Sequence, residues 1–226
     1  MKTKLFLLSL LLLLFFTYFS YTVAKERWQK TDFDTTVKLQ DHISSRFDGT
    51  FSYFSLLGSA EVTIGFCLMF IFWALLRRRW LEIIGWLMII PASAVEIFGK
   101  LVVFHPGPPV LFHRSILHTS LPSFYVHTNF SYPSGHMTRT IFIITVFALM
   151  MIYSSRNFYY RFTIFCSLIV LAFLMALTRV YLGEHWLSDV IGGTFLGMTT
   201  GFFASILILR NQTDQGIDFT KTKGLI

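Results

Sequence analysis

The stretch Thr178-Arg179-Val180-Tyr181-Leu182-Gly183-Glu184-His185-Trp186-Leu187-Ser188-Asp189 brings together three side chains of complementary chemistry. If a helix begins near His185, Asp189 lies one turn further along on the same face. A carboxylate there accepts from one imidazole nitrogen, fixes the tautomer and leaves the other nitrogen free as a nucleophile. Arg179, just across the turn, carries a permanently charged, planar fork of donors that suits phosphate oxygens in a partly dehydrated site. Taken alone, a His and an Asp at this spacing also read as a plain structural pair. Tyr132-Pro133-Ser134-Gly135-His136 is the second candidate. Proline and glycine around serine suit a sharp entry into a helix, whose unpaired first N–H groups attract anions. His136 is then placed to protonate a departing alkoxide; by itself, the motif reads first as an ordinary helix start with an interfacial histidine. Lys100 adds positive charge for the same anion, or pairs with Glu96 four residues before it.

The elements that must position these groups are membrane helices. Of 226 residues, 54% are hydrophobic and only 14% charged, with a mean hydropathy of +0.61, which does not fit a water-facing surface. Continuous apolar runs at about 5–24, 55–76, 81–104, 138–155, 162–182 and 187–209 predict an all-α, polytopic bundle of six transmembrane helices. Alternation is absent from these runs, which excludes a barrel. No soluble second domain is left over, so residues 1–226 read as a single membrane-embedded domain. Lys2 and Lys4 precede a leucine-rich stretch, and Thr22-Val23-Ala24 resembles a signal-peptidase site. Residues 1–24 are expected to be a retained first span rather than a cleaved signal segment. The connections 25–54 and 105–137 are long enough to cover a site or carry an amphipathic interfacial segment.

The formal charge of +7 is dispersed between apolar runs, a topology signal rather than a nucleic-acid footprint, so no nucleic-acid partner is expected. With the amino terminus inside, Arg77-Arg78-Arg79, Arg156, Arg161, Arg210, Lys221 and Lys223 fall on the inner side. Glu61, Glu96, Lys100, Arg139, Arg179, His185 and Asp189 then gather near the outer helix ends, where a polar cavity explains their cost in lipid. All seven histidines lie on that side as well. His105, His113, His118 and His127 crowd one loop at spacings unlike a common zinc pattern, and are expected to meet headgroups or solvent. Cys67 and Cys166 sit inside apolar runs and read as packing residues. Gly193, Gly197 and Gly201 recur every fourth residue and predict close helix approach, within the bundle first and in a dimer second.

In this order and on one membrane face, the motifs resemble the type 2 phosphatidic acid phosphatase family, with signatures KxxxxxxRP, PSGH and SRxxxxxHxxxD. The resemblance covers roughly residues 95–195. Residues 133–136 match the second signature in full. Thr178 to Asp189 match the third, with threonine for serine. In the first, Lys100 and Pro108 fit, but the arginine position holds Gly107. The resemblance implies a six-helix bundle with an outward-facing site. It implies His185 as the nucleophile forming a phosphohistidine, Asp189 as its orienting partner and His136 as the acid for the leaving group. Lys100, Ser134, Gly135, Thr178 and Arg179 match phosphate-holding positions, and neither metal nor other cofactor is implied. The absent arginine removes a contact worth about 1.5 to 4 kcal/mol in transition-state binding. His105 or Arg114, beside Gly107, is expected to supply the charge, unless Lys100 and Arg179 suffice.

The expected function is hydrolysis of a lipid phosphate or diphosphate at the outer face of a cell membrane, bacterial by its compactness. A polyprenyl diphosphate such as undecaprenyl diphosphate comes first, with phosphatidylglycerophosphate or phosphatidic acid close behind. The alternatives are a lipid phosphotransferase and a non-catalytic phospholipid-binding membrane protein.

Overall fold

The computed structural model describes residues 2–117, 130–154 and 156–214, and its regular elements there are all helical. His118, His127, Lys221 and Lys223, singled out above, lie outside the described residues. The helices are α1 (Lys2–Ala24), α2 (Gln29–His42), α3 (Asp48–Ser55), α4 (Ala60–Leu76), α5 (Trp80–Leu87), α6 (Ile89–Val102), α7 (Gly135–Ile152), α8 (Phe158–Tyr181) and α9 (Leu187–Asp214). Six stretches are long and apolar enough to cross a bilayer: Lys2–Ala24, Ser45–Leu76, Trp80–Val102, Gly135–Ile152, Phe158–Tyr181 and Leu187–Leu209. The protein is a multi-pass, all-α membrane protein. Exposed Leu14, Phe72, Phe98 and Phe173 belong to an apolar outer surface that only lipid would solvate.

The helix boundaries differ from the apolar runs in ways that local chemistry explains. The second stretch starts at Ser45 because α3 and two short 3₁₀ turns lead directly into α4. Ser59 caps α4, its Oγ accepting from the Val62 N–H at 3.2 Å. The third is interrupted at Met88, between α5 and α6. Asn157 starts α8 earlier than hydropathy indicates, its Oδ1 accepting from the Tyr160 N–H at 2.9 Å.

α7 and α9 form the buried centre: 61% and 56% of their spanning windows are buried, against 17–33% for the other four stretches. Glycine permits this approach. A Cβ on Gly197 would lie 2.5 Å from the Thr138 carbonyl oxygen, and one on Gly193 2.5 Å from that of Ser134. The glycine repeat is therefore a seam inside the bundle. Around it, Met137 and Ile141 of α7 pack with Met175 and Val180 of α8 and Val190 of α9. Phe142 and Val146 pack with Cys67, Trp86, Ala204 and Ile208. α1 lies along α9, where Phe16, Phe19 and Val23 meet Tyr132 and Leu196.

The connection after α1 is not a loose loop. Asp32 and Thr36 bury the inner face of α2, and Gln40 Nε2 donates to the Phe112 and Tyr181 carbonyls at 2.7 and 2.8 Å. α2 thus covers the α8–α9 turn.

Candidate active site

That turn is built by backbone geometry. After α8 the Leu182 N–H returns to the Thr178 carbonyl at 2.9 Å and the Gly183 N–H to Val180 at 3.0 Å. Gly183 adopts a φ of +67°, and a Cβ there would run into the Phe112 carbonyl. This left-handed residue ends the helix and reverses the chain. The reversal brings the Glu184 and His185 N–H groups back to the Arg179 carbonyl, at 3.3 and 3.2 Å. Arg179 and His185 are thereby fixed relative to each other. α9 begins at Leu187, two residues beyond His185. From its first turn Asp189 Oδ2 accepts from the Trp186 N–H at 2.9 Å and faces His185 Nδ1 at 3.2 Å. With a hydrogen on Nδ1, Nε2 keeps the lone pair. Burial, then Arg179 and Lys100, hold the His185 imidazolium well below the usual histidine range, against the pull of Glu184 and Glu96.

The Ser134 N–H donates to the Asp189 carbonyl at 3.0 Å, which joins the entry of α7 to the first turn of α9. Immediately beside this junction lies a cavity of about 250 Å³. α7 contributes Gly135, His136 and Arg139 to its wall; the α8–α9 turn contributes Arg179, Glu184 and His185. α6 adds Ser93, Glu96 and Lys100, and the α3–α4 region adds Ser55, Ser59 and Glu61. Glu96 bridges two cations, accepting from Lys100 Nζ on Oε1 and from Arg139 Nη1 on Oε2, both at 2.8 Å. Its carboxylate lies where a Cβ on Gly135 would stand. Arg179 donates to Ser55 Oγ and to Glu184. Burial would raise the Glu184 carboxyl, but its contacts with Arg179, His185 and Ser115 bring it below the usual carboxylate range. Among the described residues, Ser134 Oγ, Arg139 Nε and Arg179 Nε are buried donors without a hydrogen-bond partner. Unmet buried donors are costly and rare; three beside one cavity fit the oxygens of an anion.

His185, His136, Lys100, Gly135 and Arg179 line this cavity together. Asp189 stands behind His185, fully buried. Ser134 is buried beneath the wall, and the Thr178 hydroxyl is turned away, donating to the Met175 carbonyl at 2.8 Å. His105 and Arg114 do not reach the cavity, which corrects the expectation that either supplies charge to it. His105 is packed against the far side of Asp189, its Nε2 3.7 Å from Oδ1. Arg114 donates to the Tyr181 hydroxyl at 3.1 Å and stacks on that ring. A further cation on the cavity wall is Arg139, three residues beyond His136 and so on nearly the same helix face. Glu184 and Ser55, the partners of Arg179, were not among the sequence candidates.

The family model for the PAP2 superfamily matches residues 81–213. Phosphatidylglycerophosphatase B of Bacillus subtilis (strain 168) is 32% identical over 79 residues, 33% of this chain and 37% of that protein. The match thus spans little more than a third of this curated relative. Among solved structures, a transmembrane PAP2-type phosphatidylglycerolphosphate phosphatase from Bacillus subtilis superposes with a TM-score of 0.68 at 18% identity, over 93% of this chain and 98% of that one. Aquifex aeolicus LpxE gives a TM-score of 0.57 at 22% identity, over 77% and 94%. Both likenesses concern the fold.

Proposed function

Because this chain belongs to the PAP2 superfamily, we propose that it is a membrane lipid phosphatase, with residues 1–226 acting as one phosphatase domain. The carrying observation is the His185–Asp189 pair, set beside His136 and three cations on one cavity with unpaired donors at its wall. His185 Nε2 attacks phosphorus, and Asp189 holds the tautomer and stabilises the imidazolium that develops. His136 gives a proton to the departing lipid alkoxide and afterwards takes one from the water that hydrolyses the phosphohistidine. Lys100, Arg139 and Arg179, with Ser134 and the first N–H groups of α7, hold the phosphoryl oxygens. Gly135, with no Cβ, leaves room at that helix start, which the Glu96 carboxylate fills here and a phosphate oxygen would take in exchange. None of these roles requires a metal or other cofactor.

The site gathers at the bundle end opposite Arg77-Arg78-Arg79, which supports an extracytoplasmic site in a cell membrane. The name of the Bacillus relative favours phosphatidylglycerophosphate as substrate, ahead of a polyprenyl diphosphate or phosphatidic acid. Incubating the purified protein in detergent with these three lipids tests the reading. Phosphate release without an added acceptor is the expected result. Release only when a lipid or sugar acceptor is present would identify a phosphotransferase, and binding without release a non-catalytic protein.

The role of Arg139 has its own test. Arg139→Met is expected to lower kcat/KM by about 10- to 100-fold, the worth of one charged hydrogen bond to the phosphoryl group. Arg139→Lys should recover part of it, as a point charge without the planar fork. Steady-state kinetics at fixed micelle composition would show this, and unchanged kinetics in the methionine variant would remove Arg139 from the site.

A further inference from the structure

Behind the His185–Asp189 pair, on the side away from the cavity, a second histidine and a second carboxylate are buried. His105 is 6% exposed and Asp32 1%. His105 is fixed by its own backbone: its carbonyl accepts from the Ser131 N–H at 2.9 Å, and the next carbonyl, Pro106, accepts from Trp186 Nε1 at 2.8 Å. Its ring stands edge-on to Tyr132, with centroids 6.5 Å apart. Asp32 reaches in from α2. Its Oδ1 accepts from the Ser188 N–H at 2.8 Å and its Oδ2 from Ser188 Oγ at 2.7 Å. Burial raises the Asp32 carboxyl to about 6, against the Ser188 bonds and with a smaller push from Asp189.

These contacts assign the His105 tautomer. Ser188 has one hydroxyl hydrogen, and an ionised Asp32 takes it at 2.7 Å. Ser188 Oγ also contacts His105 Nε2 at 3.3 Å, so there it acts as acceptor and Nε2 carries a hydrogen. That N–H faces two carboxylates, Asp32 Oδ2 at 3.8 Å and Asp189 Oδ1 at 3.7 Å. Both are electrostatic contacts rather than hydrogen bonds at these lengths. Asp189 Oδ2 is already engaged by Trp186 N and His185 Nδ1. Oδ1 is buried and, among the described residues, has no hydrogen-bond partner. The Ser131 side chain lies close enough to Asp189 to act on it as a hydrogen-bond donor, and Lys100 bears on it electrostatically; the same hydroxyl also lies 3.4 Å from the His105 carbonyl.

We propose that His105 is a positioning residue: its Nε2–H faces Asp189 Oδ1, keeps that carboxylate oriented, and so maintains His185 as the nucleophilic tautomer. Asp32 and Ser188 hold the His105 ring in that orientation, so α2 forms the back wall of the nucleophile. The role rests on the phosphatase reading above. It acts on chemistry rather than on substrate capture, so it belongs in kcat and not in KM.

Two measurements on the full chain in detergent test it. His105→Phe keeps ring volume and loses the N–H, while His105→Gln restores a donor at similar reach. With phosphatidylglycerophosphate, the phenylalanine variant is expected to lose about 10- to 100-fold in kcat with KM within about twofold, and the glutamine variant to recover most of it. Near wild-type kcat in His105→Phe, or equal impairment in both variants, overturns the proposal. The second measurement uses wild-type protein and needs no turnover. ¹⁵N-histidine NMR should show His105 carrying its hydrogen on Nε2, and a bare Nε2 with Nδ1–H overturns the proposal. If wild-type protein releases no phosphate from any lipid, the phosphatase reading fails, while the NMR result still decides the tautomer.

Discussion

Replacing His185 by alanine is expected to lower phosphate release by about four orders of magnitude or more, because no other group replaces a lost covalent nucleophile. The cavity walls from α6 and α7 do not depend on the imidazole, so the variant should elute and melt like wild type while turnover disappears. Retention of more than about a hundredth of the activity in a folded His185→Ala protein would remove His185 as the nucleophile. The pH dependence carries the same signature. Burial and the neighbouring Arg179 and Lys100 depress the His185 imidazolium, so the neutral, nucleophilic form persists as pH falls through the ordinary histidine range. The acid limb of kcat/KM assigned to this residue therefore lies below that range, as a profile on free enzyme with phosphatidylglycerophosphate would show.

The second large effect is structural. Gly197→Val should leave little or no folded protein. Its Cβ would stand 2.5 Å from the Thr138 carbonyl oxygen, 2.9 Å from Ile141 Cβ and 3.0 Å from the Phe142 nitrogen. Two of these are backbone atoms of α7, which cannot swing away. Overpacking costs about 1–3 kcal/mol where side chains relax, and more where the opposing atoms are fixed. Separating α7 from α9 would also pull on the Ser134–Asp189 bond that joins the two signatures. Gly65→Ala on α4, where an added Cβ meets nothing within 4 Å, serves as the control. Thermal melts in detergent should separate the two clearly; equal melting temperatures would contradict the seam.

The six spans were legible because lipid leaves a polypeptide few choices: each crossing needs a long apolar helix, and composition records it. Their ends were less legible, since Ser59 and Asn157 set helix starts through caps that hydropathy does not register. In the candidate site, the gathering of His136, Arg179, His185 and Asp189 was legible from spacing and from the family signatures. Arg139 was visible as a charge in an apolar run, and its distance from His136 already put both on one face. His105 and Arg114 were misdirected because closeness to Gly107 in sequence says nothing about where a side chain points. Trp186 and Ser131 turn the segment so that His105 faces Asp189, and Tyr181 captures Arg114. The Glu184–Arg179 contact depends on the reversal at Gly183, which breaks helical periodicity. The Asp32–Ser188 contact spans 156 positions and leaves no periodic trace.

Glu96 and Glu184 give the cavity a further property. The three cations that face it are already matched by carboxylates of the same chain, Lys100 and Arg139 by Glu96 and Arg179 by Glu184. Entry of an anion is therefore an exchange of partners rather than the filling of a bare positive hole. Its affinity is the difference between two sets of ionic contacts. A lipid phosphate adds its buried tail to that difference, whereas free inorganic phosphate competes on ionic contacts alone. On the proposed reading, such a site favours a phosphate that carries an apolar tail over the bare ion.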